Sequence, residues 1–289
     1  MNHRAKKSFE LKPFQKRNGS PELSFRKKKA LGQNFLKSKE ALLMMCSAGD
    51  VGENDTIVEI GPGKGALTEK VLERADKVIA VEKDRDLIPI LSERFDAELI
   101  EEKLLLVEED ILTFNPKSHG LKARGYKIIA NIPYNITGAI IKRFLSETIQ
   151  PERMVLLVQK EVAERIVARD GKESILSLSV KAYGTPTYKM KVGKRFFSPA
   201  PKVDSAIIAI TSINKDNFKN THDEEWFFTI IKAGFAHKRK VLRKNLEEVA
   251  LLSDIDKAFA NLEIDERTRA EDINFPTWLE LAKLLNKNI

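Results

Sequence analysis

The apolar positions of this chain fall into short continuous runs, separated by stretches in which they recur every three or four residues. Residues 56–60, 78–81, 104–107, 127–130 and 154–158 are runs of mostly aliphatic side chains bounded by polar turns, the pattern of a strand covered on both faces. Between them, 66–75, 84–95 and 137–146 carry helical spacing. This alternation predicts right-handed crossovers and a mostly parallel sheet with helices on both faces, an α/β fold. Residues 187–192 and 206–210 predict two further strands that close the sheet. A polar stretch, 212–217 (SINKDN), reads as a linker, and 224–236, 238–252 and 276–285 read as helices. Residues 1–24 contain Asn18-Gly19-Ser20-Pro21 and lack apolar periodicity, as a flexible arm would. The chain therefore divides into an arm (1–24), a sheet domain (25–212) and a small all-helical domain (213–289).

Composition excludes several classes. Of 289 residues, 42% are hydrophobic and 32% charged, which is a globular balance and not a disordered one. No apolar stretch is long enough for a membrane span, and the start of the chain lacks an apolar signal segment, so a cytoplasmic protein with no membrane partner is expected. One cysteine, Cys46, and four scattered histidines predict neither an intrachain disulfide nor a metal site. The net charge of +8 conceals a strong asymmetry: residues 1–29 carry +8, 40–116 carry −11 and 117–244 carry +14. Such a distribution points to a polyanionic partner.

Candidate chemistry begins where the first strand ends. Glu59-Ile60-Gly61-Pro62-Gly63-Lys64-Gly65 sets three glycines at alternate positions ahead of a helix. Such a turn is sharp and lets backbone approach a ligand with no Cβ in the way. Glu82 ends the second strand, where a carboxylate accepts hydrogen bonds from a ribose diol, and Asp110 follows the third, where it could accept from an adenine amino group. The spacing differs from the dinucleotide fingerprint GxGxxG, and Lys64 is not part of a Walker phosphate loop. A ligand with an adenosine and no phosphates fits better, and S-adenosylmethionine is that ligand.

The fourth strand runs into Asn131-Ile132-Pro133-Tyr134 at the carboxyl edge, where open α/β sheets bind ligands. An exocyclic adenine amine is a poor nucleophile because its lone pair is delocalised into the ring. Two acceptors, the Asn131 side-chain oxygen and the Ile132 carbonyl, would bond both amine hydrogens and localise that pair, with Tyr134 stacked on the base. The segments GQNFL from Gly32, EIGPGKG from Glu59, NIPYNIT from Asn131, QKEVAER from Gln159, FSPAPKVDSA from Phe197 and FAHKRKVLRKNL from Phe235 follow one another in a set order. Together, over about residues 25–285, they resemble the ribosomal RNA adenine N6-dimethyltransferases of the small-subunit type. That resemblance implies a Rossmann-like class I S-adenosylmethionine-dependent methyltransferase fold with a carboxyl-terminal helical domain. It implies dimethylation of N6 on two adjacent adenosines in the 3′-terminal helix loop of small-subunit rRNA, by a monomer acting on an immature ribosomal subunit. Position by position, it places Asn34 and Leu36 over the methionine end of the cofactor and the turn of Gly61 and Gly63 beneath it. Glu82 falls on the ribose, Asp110 on the adenine, and Asn131 on both cofactor and target amine. Tyr134 and Phe197 become the two stacking aromatics, whereas neighbouring Phe196 reads as core.

Lys238, Arg239, Lys240, Arg243 and Lys244 fall within seven positions of a predicted helix and lack acidic i,i+4 partners, as a phosphate-contacting patch would. Two features depart from the family. Residues 170–177 (DGKESILS) replace a more usual Tyr-Gly-x-Leu-Ser run, and the basic arm lies outside the resemblance. Rival expectations are a large-subunit rRNA adenine methylase of the macrolide-resistance type, against which the Asp204 of PKVDSA speaks, and a non-catalytic nucleic-acid-binding assembly or transcription factor on the same fold. A DNA adenine methylase is disfavoured because no target-recognition domain is visible.

Overall fold

The structure, a computed structural model, describes residues 33–286; the arm predicted over 1–24 lies outside the described residues. The strands are β1 (Phe35–Leu36), β2 (Thr56–Ile60), β3 (Lys77–Glu82), β4 (Leu104–Glu108), β5 (Lys127–Asn131), β6 (Arg153–Gln159), β7 (Thr185–Val192), β8 (Phe197–Ser198) and β9 (Ser205–Thr211). Seven of them form one sheet in the order β4-β3-β2-β5-β6-β9-β7, while β1 and β8 pair as a separate two-stranded ribbon. β2 to β6 are mutually parallel, and β9 alone is reversed, lying antiparallel to both β6 and β7. The β7–β9 connection can therefore dispense with a crossover helix. Chain order reverses between β2 and β5, so their carboxyl ends flank a crevice at a topological switch point.

The helices are α1 (Lys39–Gly49), α2 (Ala66–Leu72), α3 (Ile88–Arg94), α4 (Asp96–Ile100), α5 (Thr137–Ser146), α6 (Lys160–Ile166), α7 (Ile175–Lys181), α8 (Thr221–Gly234), α9 (Leu242–Leu246), α10 (Leu252–Asn261) and α11 (Phe275–Leu284). α1 to α3 contribute to an apolar cluster on one face of the sheet. α5 to α7 cover the other, where the cluster continues without a break into α8 to α11. Gly234 lies so close to α11 that a Cβ there would come within 2.4 Å of the Trp278 ring.

Two predicted helices are corrected. The helix expected over 84–95 begins only at Ile88, because Leu87 donates to the Asp84 carbonyl in a turn, and it breaks at Phe95 before α4. The helix expected over 238–252 is a turn followed by the five residues of α9. Buried Asn245 explains this: its amide donates to the carbonyls of Gly234 (2.6 Å) and His237 (3.2 Å), folding the chain back on the end of α8. The atypical 170–177 stretch contains the start of α7, capped by reciprocal Ser174 and Ser177 hydrogen bonds. No helix among the described residues is long and apolar enough to cross a membrane.

Candidate active site

The crevice over β4, β3, β2 and β5 is lined by the glycine turn, Glu82, Lys83, Asp110, the Asn131–Tyr134 segment and residues 33–36. All three turn glycines have positive φ: Gly61 +65, Gly63 +61 and Gly65 +82. Their surroundings differ. A Cβ on Gly65 would come within 2.4 Å of Phe95 and one on Gly63 within 2.9 Å of Phe35, whereas one on Gly61 would meet nothing within 4 Å. Gly65 and Gly63 thus serve close packing, while Gly61 keeps the crevice floor open.

Glu82 braces this turn: its carboxylate accepts from the amides of Gly63 (3.1 Å) and Asp84 (2.8 Å). Burial pushes the Glu82 carboxyl upward, and these two amides oppose that shift. Asp110 accepts from the Leu112 amide (3.0 Å) and pairs with Lys83 Nζ (2.7 Å), which holds its carboxyl below the usual range.

At the end of β5, Asn131 Nδ2 donates to the Asn34 carbonyl at 3.0 Å. A carbonyl can only accept, so this contact fixes which end of the amide carries the nitrogen and leaves Oδ1 available as an acceptor. Ile132 is 2% exposed and borders the crevice. Pro133 precedes a short 3₁₀ turn, Tyr134–Ile136. Half-buried Tyr134 lies 2.6 Å from Ser205 Oγ through its hydroxyl, and burial raises its phenol above the ordinary value.

The roof is β1. Phe35 pairs with Ser198 and Leu36 with Phe197, so a segment from the carboxyl side of the sheet holds Asn34 and Leu36 over the glycine turn. Phe197 is 4% exposed, within the apolar cluster beside the roof. Partly exposed Phe196, expected as core, carries the Arg195 guanidinium over its ring at 5.0 Å.

Comparisons with known proteins are decisive on ancestry. A family model described as "Ribosomal RNA adenine dimethylase" matches residues 24–287. The chain belongs to this family. It is similar to "Ribosomal RNA small subunit methyltransferase A" of Fusobacterium nucleatum, at 40% identity over 265 residues covering 91% of this chain and 98% of the relative. The protein of that name from Nostoc is 37% identical over 271 residues, covering 90% and 98%. Among solved structures, a dimethyladenosine transferase from Plasmodium falciparum aligns with TM-score 0.72 at 25% identity, covering 86% of this chain and 95% of the other. The 23S rRNA methyltransferase ErmE shares the fold with TM-score 0.73, at 23% identity and covering 87% and 99%. The fold of this dimethylase is accordingly that of the Rossmann-like S-adenosylmethionine-dependent methyltransferases.

The basic cluster of this family member is only partly as expected. Lys238, Arg239 and Lys240 sit on the exposed turn before α9, and no ion pair among the described residues engages them. Arg243 is held by Asp256 in a two-bond fork (2.7 and 3.0 Å), and Lys244 pairs with Glu247 at 2.7 Å. The expectation that acidic partners are absent therefore fails for these two, since Asp256 reaches across from α10 and Glu247 lies one turn on. The free turn faces a groove that also takes in Arg165, Arg169 and Lys172 beside α6 and α7.

Sequence reasoning assigned no role to Glu59 and Ser205. Glu59 is 1% exposed and Ser205 fully buried. For Glu59 a signal existed, a lone carboxylate inside an apolar strand run; Ser205 stood within a quoted motif with nothing to mark its hydroxyl.

Proposed function

We propose that this dimethylase transfers methyl groups from S-adenosylmethionine to N6 of two adjacent adenosines in the 3′-terminal helix loop of small-subunit rRNA, acting as a cytoplasmic monomer on an immature subunit. The observation that carries this reading is the orientation of Asn131, whose nitrogen is committed to Asn34 and whose oxygen remains an acceptor beside Tyr134.

The residues present suit the cofactor. A glycine whose Cβ would meet nothing leaves room for it at the floor, and a buried carboxylate oxygen of Glu59 beside the crevice has no hydrogen-bond partner. Asp110, Glu82 and the glycine turn would hold adenine, ribose and amino-acid tail in strand order, with Asn34 and Leu36 above. When bound, the cofactor supplies a methyl group on a sulfonium, a strong electrophile. Asn131 Oδ1 and the Ile132 backbone accept from the target amine and keep its lone pair on nitrogen. Tyr134, anchored through its hydroxyl, offers a ring face to the flipped base. No general base is required of the protein before attack, so positioning and preorganised acceptors do most of the work.

The test is transfer of labelled methyl groups from S-adenosylmethionine to immature small subunits, followed by nucleoside analysis. N6,N6-dimethyladenosine at two neighbouring small-subunit positions supports the reading. Modification of a large-subunit adenosine, or RNA binding with no transfer, overturns it.

A further inference from the structure

Arg143 lies near the carboxyl end of α5 with its side chain 24% exposed. Its guanidinium donates to two backbone carbonyls of the loop that follows β4, through Nη1 to Leu112 at 2.7 Å and through Nη2 to Phe114. Nη2 also lies 3.5 Å from Glu147, one turn along the helix. Holding this pose leaves the buried Nε without a hydrogen-bond partner. An arginine serving only a surface ion pair would keep that nitrogen in water, so the two carbonyls are what fix the pose.

The loop so held carries the adenine side of the crevice, granted the assignment of Asp110 on which this inference rests. Asp110, Ile111 and Leu112 line the crevice. The Leu112 amide donates to the Asp110 carboxylate at 3.0 Å, and the Phe114 amide donates to the Asp110 carbonyl at 3.0 Å. Leu112 and Phe114 thus each give Asp110 an amide and Arg143 a carbonyl, and the guanidinium closes the loop from its far side. We propose that Arg143 is a positioning residue for the adenine of the cofactor: it keeps Asp110 in the orientation that accepts from the exocyclic amine, and so sets the preference for adenine over a purine lacking that amine.

The surroundings agree. Ile140, Ile141 and Phe144 of α5 belong to the same apolar cluster as Ile111 and Phe114, so the helix gives the guanidinium a packed base. A planar guanidinium presents donors in a fixed fork that suits two neighbouring carbonyls, where a lysine offers one mobile charge. Lys83 also bonds Asp110, yet it does so from a side chain 60% exposed, and an ion pair of that kind constrains its partner little. The charge of Arg143 helps to hold the Asp110 carboxyl low as well, though less than the hydrogen bonds from Lys83 and the Leu112 amide.

Calorimetric titration of the full chain and of its Arg143→Met and Arg143→Lys variants with two ligands tests this. S-adenosylhomocysteine carries the exocyclic amine; S-inosylhomocysteine has an oxygen in its place. The wild-type chain should prefer the first by at least about tenfold, since a group set to accept from an amine rejects a ligand without one. In Arg143→Met, affinity for S-adenosylhomocysteine should fall by about tenfold and that for S-inosylhomocysteine by less than about twofold, so the preference collapses. Arg143→Lys, which can still reach a carbonyl, should recover part of it. In methyl transfer, the KM for S-adenosylmethionine should rise in Arg143→Met with kcat nearly unchanged. An undiminished preference in Arg143→Met, or equal losses for both ligands in both variants, overturns the positioning role. Absence of any preference in the wild-type chain overturns the adenine assignment of Asp110, and this proposal with it.

Discussion

The hydroxyl of Tyr134 lies 2.6 Å from the hydroxyl of Ser205, across seventy-one residues of sequence. Ser205 is fully buried at the start of β9, so the bond ties a crevice aromatic to the sheet interior. Tyr134→Phe and Ser205→Ala remove the same bond from opposite ends. Each is expected to cost about 1 kcal/mol of stability, and the double variant no more than the worse single. Methyl transfer should follow the same non-additive pattern, checked by denaturation and steady-state kinetics together.

Asn131→Ala removes the Nδ2 hydrogen bond to the Asn34 carbonyl and the side-chain acceptor together. Methyl transfer should fall by at least about 10²-fold while rRNA binding stays within a few fold. Filter binding beside methyl incorporation separates the two effects, and an active variant sinks the mechanism.

The glycine turn gives a contrast between two substitutions. Gly65→Ala drives a Cβ into Phe95 and is expected to destabilise the fold by more than the roughly 1–3 kcal/mol that positive φ alone costs a residue with a Cβ. Gly61→Ala meets no protein atom, so it should show only that backbone cost and a much larger loss of cofactor affinity. Thermal denaturation and ligand titration, read side by side, distinguish floor from packing.

Salt dependence separates the basic residues. Joint alanine substitution of Lys238, Arg239 and Lys240 should lower the slope of log affinity for rRNA against log salt by about 2 to 3, the contribution of three phosphate contacts. Arg243→Ala should leave that slope unchanged and loosen the α9–α10 contact instead, because Asp256 already occupies its guanidinium.

Glu59 makes stability fall with rising pH. Its folded value of about 8 lies above that of an unfolded glutamate, so between roughly pH 4.3 and that value the folded state binds the extra proton. The stabilisation is complete below the unfolded value and declines by up to about 1.4 kcal/mol per pH unit until the folded value is passed. Melting temperatures of Glu59→Gln should therefore exceed those of the wild type at alkaline pH, with the gap closing toward acid.

The sheet was legible to within a residue or two because its strands are continuous apolar runs, and Glu82 and Asp110 could be placed from the ends of such runs. The reversal of β9 was not legible. A strand buried on both faces reads the same in either direction, and only its partners reveal which way it runs. Helix α1 was missed because its buried Ala41, Leu42, Met45 and Cys46 are interleaved with half-exposed Leu43 and Met44, which erases the period. The burial of Phe196 and Phe197 was not legible for the same kind of reason. Neighbouring phenylalanines differ in burial only through the β1–β8 pairing, a contact between segments far apart in sequence.

That reversed strand also imposes an order on assembly as the chain is made. β7 pairs with nothing in the sheet except β9, so it cannot dock until Ser205–Thr211 has been synthesised. Until then β6, with its fully buried row from Met154 to Val158, is an open edge of the kind that invites wrong pairing. The glycine turn, Glu82 and Asn131 belong to strands already complete by Gln159. The cradle for a small ligand can thus form on a nascent chain well before the base-handling side, and Tyr134 gains its anchor last.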